Sequence, residues 1–533
     1  MVQVKTGNLY SCIEGDIPPV VQAELIRELR YRVKDADYII EAINKKLARQ
    51  AEAQGVPARR TSWNGYENLY WPEKQQVFYT GMRSVVGTIL RTHNVEFQYV
   101  DLRGKPDQDM PDLTFTMPPG KKERSYQTKT IDICLKASRG IVQAATGSGK
   151  TLMVTQLISR IATKPFLFFV HTQDLMDQAY ETLKACLNTE IGRVGGDYCD
   201  IRDINVVMIQ MAVHALHRND AKFKLDEYKY DEEQEWDENT KANACKHGAE
   251  IENLIREARG VFMDECHHAA SATAKELMLT AKKAYWRFGA SATPFREDGA
   301  EKMLQALFGK KLVEISASWL IDHGYLVRPY ILNVRIEDGK AGLWKTYQKI
   351  YKEAIVNNQQ LHELTARLMT HLVNRKLPTL SLVKEYPHGE AIQKLYNAPF
   401  LRGDKSKTSR KDTIEQLRSG KIDAAIGTTL ADEGLDIERL GAVICGSGGR
   451  SICRAPQRVG RIMRLFPGKR FGIAILFHHD GNYLSEHGSR VKNILKQERA
   501  FVIRNCTPST VFDEIDRVIE ENDRSENILD NIQ

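Results

Sequence analysis

The sequence predicts an α/β protein made of two tandem parallel-sheet units, with a small α+β domain in front of them. Two observations carry that reading. Short apolar runs bounded by polar residues alternate with helix-periodic stretches from Ser125 to about residue 480, the pattern of buried parallel strands joined by helices. One strand-to-helix crossing also holds a glycine loop, Ala144-Ala145-Thr146-Gly147-Ser148-Gly149-Lys150-Thr151, entered from Gly140-Ile141-Val142 and left through the apolar-periodic Leu152–Ile158. Small residues let backbone N–H groups curl round a polyphosphate, and the helix N-terminus adds partial positive charge. Lys150 then reaches the β- and γ-phosphates and Thr151 holds Mg²⁺. Ala144 stands where the strict pattern begins with glycine.

Residues 1–110 read as an N-terminal α+β domain. Val21–Val33 and Tyr38–Ala53 have helical spacing and carry Arg27, Arg30, Arg32, Lys34, Lys45, Lys46 and Arg49. Aromatics follow, among them Trp63, Tyr66, Tyr70, Trp71, Phe78, Tyr79, Phe97 and Tyr99. Basic residues beside aromatics suit nucleic acid, through phosphate contact and base stacking. A solvated basic face over an ordinary aromatic core suits the same pattern. The Pro/Gly-rich stretch from Arg103 to Gly120 leads into a linker, 111–124.

The first parallel-sheet unit spans 125–325, with strands expected at Phe166–Val170, Val206–Ile209, Val261–Met263 and Phe288–Ala290. An acidic insertion at about 221–247 interrupts it; Asp226–Glu238 holds eight acidic residues and one base, Lys229. That reads as a solvated surface insertion and not a metal site. The second unit spans 326–480, with strands at Thr379–Val383, Asp423–Gly427, Gly441–Cys445 and Phe471–Phe477, and lacks a glycine loop. Residues 481–533 read as a helical extension and tail.

Composition narrows the class. The chain has 533 residues, 42% of them hydrophobic, and a net charge of +7, which permits nucleic-acid binding without establishing it. Its nine cysteines form no Cys-x-x-Cys pair, so neither a zinc knuckle nor a disulfide framework is indicated. The start, Met1 to Pro19, lacks the apolar core of a signal peptide, and no run approaches the ~20 apolar residues of a membrane span. The expectation is a soluble cytoplasmic protein, nucleoid-associated or in the cytoplasm of a phage-infected host, with no membrane partner and a monomeric or weakly oligomeric state.

Downstream of the loop, Gly260–Met263 runs into Asp264-Glu265-Cys266-His267. A strand ending in two carboxylates places them at the edge where open α/β sheets bind ligands. Asp264 is the candidate Mg²⁺ ligand, and Glu265 the candidate base for the attacking water. Cys266-His267-His268 lacks a further ligand at zinc spacing. His267 is read as a relay to the next loop, Ser291-Ala292-Thr293-Pro294, whose Ser291 and Thr293 hydroxyls suit coupling.

The glycine loop, the Asp-Glu-Cys-His box, Ser291-Ala292-Thr293 and Gln457-Arg458-Val459-Gly460-Arg461-Ile462-Met463-Arg464 resemble motifs I, II, III and VI of superfamily 2 helicases. Arg296-Glu297-Asp298 and the motif V-like Asp432-Glu433-Gly434-Leu435-Asp436-Ile437 are similar to segments of the branch-migrating and repair helicases typified by phage UvsW and by XPB. The resemblance covers roughly 120–480. It implies two RecA-like domains with ATP and Mg²⁺ bound between them. Arg124 and Gln127 resemble the adenine-recognising segment, and Thr146 to Thr151 the phosphate cradle. Gly434 and Asp436 would lie near the nucleotide. Gln457 is matched to the attacking water, and Arg461 and Arg464 to the γ-phosphate. Thr172, Arg296, Arg402 and Thr428 are matched to the nucleic-acid track. Met208-Ile209-Gln210 lacks the threonine usual in motif Ib.

The expected function is therefore an ATP-dependent DNA helicase or translocase that remodels branched or forked duplex, with a single strand in the motor groove. An RNA helicase, the motor of a restriction system and a non-enzymatic nucleic-acid clamp stay open as alternatives.

Overall fold

The computed structural model describes residues 1–218, 238–270, 272–292, 301–337, 346–403, 407–428, 437–446 and 454–530. The chain divides into two compact units, one of Met1–Gln143 with Gly149–Glu314, the other of Ala144–Ser148 with Ile315–Gln533. Among the described residues no helix is long and apolar enough to cross a membrane.

The first unit is built on an eight-stranded sheet. Its order is Tyr198–Asp200, Ile191–Gly195, Ile204–Met208, Phe166–Val170, Gly260–Met263, Trp286–Ser291, Arg139–Ala144 and Lys311–Ile315. The five central pairings from Ile191–Gly195 to Arg139–Ala144 are parallel. Phe166–Val170, Ile204–Met208 and Gly260–Met263 are buried along their whole length, which is why they are apolar without alternation. The sheet order sets the strands ending at Met263, Ser291 and Ala144 side by side. Their C-terminal ends gather segments far apart in the chain.

Residues 1–110 form the expected α+β fold. A five-stranded sheet runs Tyr70–Trp71, Val77–Tyr79, Tyr10–Glu14, Val2–Thr6 and Phe97–Asp101, with helices Pro19–Glu28, Ala36–Gln54 and Arg83–Thr92. Its aromatics divide between the two readings. Tyr70, Phe78 and Tyr79 are core, whereas Tyr38 is 75% and Tyr99 42% exposed, with the Arg83 guanidinium 4.9 Å over the Tyr99 ring.

The structure does not set this region apart at residue 110. Its core is continuous with that of the eight-stranded sheet. Lys302 Nζ donates to the carbonyls of Glu28 and Arg30 at 2.7 and 3.2 Å. Arg139, the first residue of the loop-bearing strand, donates to Asn8, Phe308 and Leu307 carbonyls at 2.9, 3.1 and 2.9 Å. The Pro/Gly-rich linker is likewise laid down on the sheet unit. Met110 N donates to Ala162 O at 3.0 Å, Thr116 N to Cys186 O at 2.8 Å, and Phe115 bridges to Leu187. Composition marks a stretch unable to continue a helix or strand; it carries no record of the backbone groups that receive it.

The second unit has a seven-stranded sheet, ordered Phe400–Leu401, Ala424–Gly427, Thr379–Leu382, Ala442–Cys445, Phe471–His479, Arg328–Ile336 and Val502–Cys506, with every pairing parallel. The C-terminal segment is therefore not a surface extension. Val502–Cys506 is the edge strand, and the helix Val511–Asp530 buries Val511, Ile515 and Val518 in the second core. Charged residues on its outer face hid that stripe. The unit also begins before the expected 326: Glu498 accepts from Ala317 N at 3.1 Å and Ser318 N at 2.8 Å, fastening the helix Ala317–Asp322. In the acidic insertion, 219–237 lies outside the described residues, and Glu238–Lys246 is a helix.

Gly81 sits where the N-terminal fold meets the helix Glu301–Phe308. A Cβ there would fall 1.9 Å from Gln305 O and 2.5 Å from Ala306 O. Gly81→Ala is expected to cost about 1–3 kcal/mol in the urea unfolding of the first unit, while Gly104→Ala, where nothing lies within 4 Å, leaves it unchanged. Equal midpoints for the two variants would contradict the fused architecture.

Candidate active site

The glycine loop is built as its residue types require. Gly147 and Gly149 have φ of +84° and +82°, a left-handed conformation that costs glycine little. The helix Lys150–Ile161 starts directly after Gly149, so its first N–H groups face the loop. Gln127 is 5% exposed, and its Nε2 lies 2.5 Å from where a Cβ on Gly149 would stand. Its Oε1 accepts from Arg124 N at 3.3 Å, and Arg124 NH1 donates to the Tyr126 hydroxyl at 3.1 Å. Arg124 and Gln127 thus share one local network against the loop. Ser148 is fully buried, and Thr151 is half-buried in the first turn of the helix.

Lys150 and the acidic box meet. Lys150 Nζ donates to Glu265 Oε1 at 3.0 Å, with side chains 14% and 17% exposed. Burial opposes the charge on both groups. The pair overrides it: Glu265 and Asp264 hold the Lys150 ammonium above its ordinary value, and Lys150 with His267 holds the Glu265 carboxyl far below the usual carboxylate range. Asp264 goes the other way. Burial and the Glu265 charge raise it against the pull of Lys150; two carboxylates face one ammonium. Asp264 Oδ1 accepts from Glu265 N at 3.0 Å, and Glu265 takes a left-handed φ of +46°, a backbone strain of about 1–3 kcal/mol of the kind that persists at functional sites.

Behind Glu265 stands the third strand end. His267 Nδ1 lies 2.9 Å from Ser291 Oγ, Ser291 Oγ donates to Glu265 Oε2 at 3.3 Å, and His267 Nδ1 is 3.4 Å from the same oxygen. The two segments expected from sequence to communicate, the acidic box and the stretch at Ser291, thus meet in one triangle. Thr293 and Arg296 lie outside the described residues.

A feature that sequence reasoning missed extends this triangle. The His267 and His268 rings are 3.9 Å apart, and His268 is 4.4 Å from His171. His171 is 3% exposed, and burial, with His267 nearby, pushes it down to about 3. It adjoins Thr172, whose hydroxyl caps the helix Gln173–Cys186 by accepting from Leu175 N at 3.4 Å. Nothing in the spacing of His171 signals this stack, because the two segments meet only through adjacent strands. Nor does any residue type announce the φ of Glu265.

In the second unit, Gln457 and Arg461 lie on the helix Arg454–Arg461. Arg458 and Arg461 are 9% and 6% exposed, and Arg464 is half-buried beyond the helix end. Lys469 was also missed. Burial and the Arg464 charge push it down to about 7, and it donates to Glu438 O at 3.0 Å. Arg402 donates to Glu390 Oε1 at 2.6 Å and stacks 4.5 Å over Tyr386. Thr428 is 3% exposed at the end of the strand Ala424–Gly427. Gly434 and Asp436 lie outside the described residues.

Comparison with known proteins agrees with this arrangement. A family model described as type III restriction enzyme, res subunit, matches residues 120–296, and one described as helicase conserved C-terminal domain matches 367–466. A putative helicase 22 of Sulfolobus islandicus filamentous virus is 25% identical over 67% of this chain and 64% of its own. A putative DNA 3'-5' helicase Rad25 of Halobacterium salinarum is 26% identical over 66% of this chain and 54% of its own. The chain thus spans less than two thirds of the length of either relative. The solved structure of S. cerevisiae Dbp5 bound to RNA and ADP BeF3 superposes over 75% of this chain and 94% of its own, at 14% identity and a TM-score of 0.51, a likeness of fold alone. The glycine loop and the Asp-Glu-Cys-His box fall inside the first match and the helix Arg454–Arg461 inside the second, so the chain carries both helicase-type domains, and its relatives include proteins named as Rad25 and XPB helicases.

Proposed function

We propose that the protein is an ATP-dependent DNA helicase or translocase acting on branched or forked duplex. The observation that supports it most is the Lys150–Glu265 ion pair backed by His267 and Ser291. It brings the first residue of the helix after the glycine loop against carboxylate and hydroxyl groups at two adjacent strand ends, the arrangement that an ammonium for phosphate, a base and a relay require.

The donor set suits Mg²⁺. Hydroxyl and carboxylate oxygens are its preferred ligands, and both Thr151 and Asp264 offer one beside the loop. Thr151 and Asp264 are the residues that would hold the ion. Bound there, it supplies positive charge against the phosphates. The rest of the chemistry falls to the chain. The backbone of Thr146 to Gly149 cradles phosphate oxygens, and Arg124 and Gln127 recognise the base. Phosphate competes with Glu265 for Lys150. As Lys150 turns to the phosphates, Glu265 loses the charge that depresses it and becomes a stronger base for the attacking water. Gln457 orients that water, and Arg461 and Arg464 neutralise the charge developing on the γ-phosphoryl.

His267 and Ser291 carry the state of Glu265 towards the strand end before Thr293. Thr172, Arg296, Arg402, Thr428, Gly434 and Asp436 remain the proposed contacts to strand or nucleotide. The likeness to relatives named as Rad25 and XPB DNA helicases or translocases favours DNA. Branch remodelling and a recognition role for residues 1–110 are the finer parts of this reading, motivated by Arg83 over the exposed Tyr99.

ATP turnover measured with single-stranded, duplex, forked and four-way DNA and with RNA tests the proposal. Stimulation by DNA, greatest with branched forms, is expected; turnover indifferent to every nucleic acid would remove the motor reading, and stimulation by RNA alone would replace the substrate. Lys150→Ala is expected to abolish turnover and Glu265→Gln to lower kcat by about 10²–10⁴-fold. Parent-level turnover in either variant would contradict the assigned roles. Ser291→Ala is expected to retain DNA-stimulated hydrolysis while losing strand displacement; a matching loss of both would place Ser291 in hydrolysis instead.

The pair also has a pH signature. A depressed carboxyl stabilises the fold above its unfolded value of about 4.3, and that contribution fades as pH falls. In nucleotide-free protein, the thermal-midpoint gap between the parent and Glu265→Gln should therefore hold from pH 7 to about pH 5 and narrow as pH falls below about 4.3. A gap that widens on acidification would refute the assignment of charge.

A further inference from the structure

The edge of the eight-stranded sheet farthest from the nucleotide side holds a cluster with no part in hydrolysis. Cys199 lies in the edge strand Tyr198–Asp200, His247 immediately precedes the helix Gly248–Glu257, and Glu250 lies in its first turn. One donor atom from each lies within 4.8 Å of the others. His247 Nδ1 and Glu250 Oε2 are already 3.3 Å apart. Metal–donor distances of about 2.0–2.3 Å in a tetrahedral site separate its ligands by roughly 3.3–3.8 Å, so a small closure completes the set.

We propose that Cys199, His247 and Glu250 form a three-ligand site for a zinc ion, with water in the fourth position. Sulfur, imidazole nitrogen and carboxylate oxygen are the donors this ion takes, and thiolate plus carboxylate balance its charge. The thiol proton passes to solvent on binding, so affinity rises with pH. Asp200 is no fourth ligand, because its carboxylate is held by Arg202 at 3.0 Å. The Lys246 charge pulls the thiol down against burial and the charges of Glu250 and Asp200, which push it up.

The backbone on both sides is fixed before any ion arrives. The hairpin pairs Tyr198–Asp200 with Ile191–Gly195, and the Arg193 guanidinium lies 3.5 Å over the Tyr198 ring. Asn243 Nδ2 donates to Gly196 O at 2.8 Å, and His247 N to Asn243 O at 2.9 Å. The two halves of the site are thus anchored to each other, with the closing movement left to Glu250, whose side chain is 68% exposed. In sequence the ligands bracket the acidic stretch Asp226–Glu238. The ion would pin the chain's return from that stretch to the sheet edge. Spacing concealed the site: Cys199 and His247 are far apart in the chain, with no Cys-x-x-Cys pair to mark them.

The full-length chain, freed of metal with chelator and titrated with Zn²⁺ and separately with Co²⁺, tests this. About one equivalent of Zn²⁺ is expected to bind and raise the melting temperature, and Co²⁺ is expected to give a thiolate charge-transfer band. Cys199→Ser should abolish both the band and the thermal shift, and Glu250→Gln should weaken binding at least tenfold. Cys245→Ser, which alters the exposed cysteine nearby in sequence, should change neither. Circular dichroism of the metal-free variants separates loss of the site from loss of fold. Substoichiometric binding, a band that survives Cys199→Ser, or one that depends on Cys245 would overturn the proposal.

Discussion

The nucleotide site depends on one electrostatic constraint: two carboxylates and one ammonium share a pocket that water barely enters. Lys150 cannot satisfy both Asp264 and Glu265. It pairs with Glu265 at 3.0 Å, and Asp264 is left raised. An arrangement of net negative charge in a low-dielectric site is costly. It persists because the surrounding structure over-determines it, down to the left-handed backbone of Glu265. The imbalance is also what makes the site responsive. Ser291 and His267 both touch the same Glu265 oxygen, so any change of partner at Glu265 changes their contact as well.

That constraint needs a rigid base, which the first unit supplies in an unexpected way. The strand leading to the glycine loop is gripped at its first residue. Arg139 spends its guanidinium on three backbone carbonyls, two at the end of the helix Glu301–Phe308 and one, Asn8, in the N-terminal fold. Burial and neighbouring arginines depress it strongly; the three acceptors offset part of that cost. Arg287, in the adjacent strand, is also fully buried and bonded to the carbonyls of Ala284, Met278 and Ala281. The N-terminal fold is in this sense part of the base under the strand that leads to the glycine loop.

The second unit treats its basic residues differently. Arg402 is spent on Glu390 and Tyr386, and Arg375 on Asp516 of the C-terminal helix. Arg458 and Arg461 are buried on a short helix, and Arg464 sits close enough to Lys469 to depress it. Sequence alone could not separate the arginines of that helix from those spent on packing, because the partners of Arg402 and Arg375 are fixed by the fold.

Local chemistry was legible from the residues. The switch from apolar run to glycine loop to helix, the acidic pair at the end of Gly260–Met263 and the tandem α/β rhythm each depend on neighbours in the chain, and pattern records neighbours. Legible too were the segments that would communicate, Lys150 with Asp264-Glu265 and His267 with Ser291. Tertiary structure alone decided what depends on packing across distance: the fusion of residues 1–110 with the first sheet through Arg139 and Gly81, the edge strand Val502–Cys506, the stack from His267 to His171, and which aromatics are core. The physical reason is that a strand's place in a parallel sheet is set by its partners, which lie tens to hundreds of residues away, and a side chain's charge state is set by what burial leaves beside it.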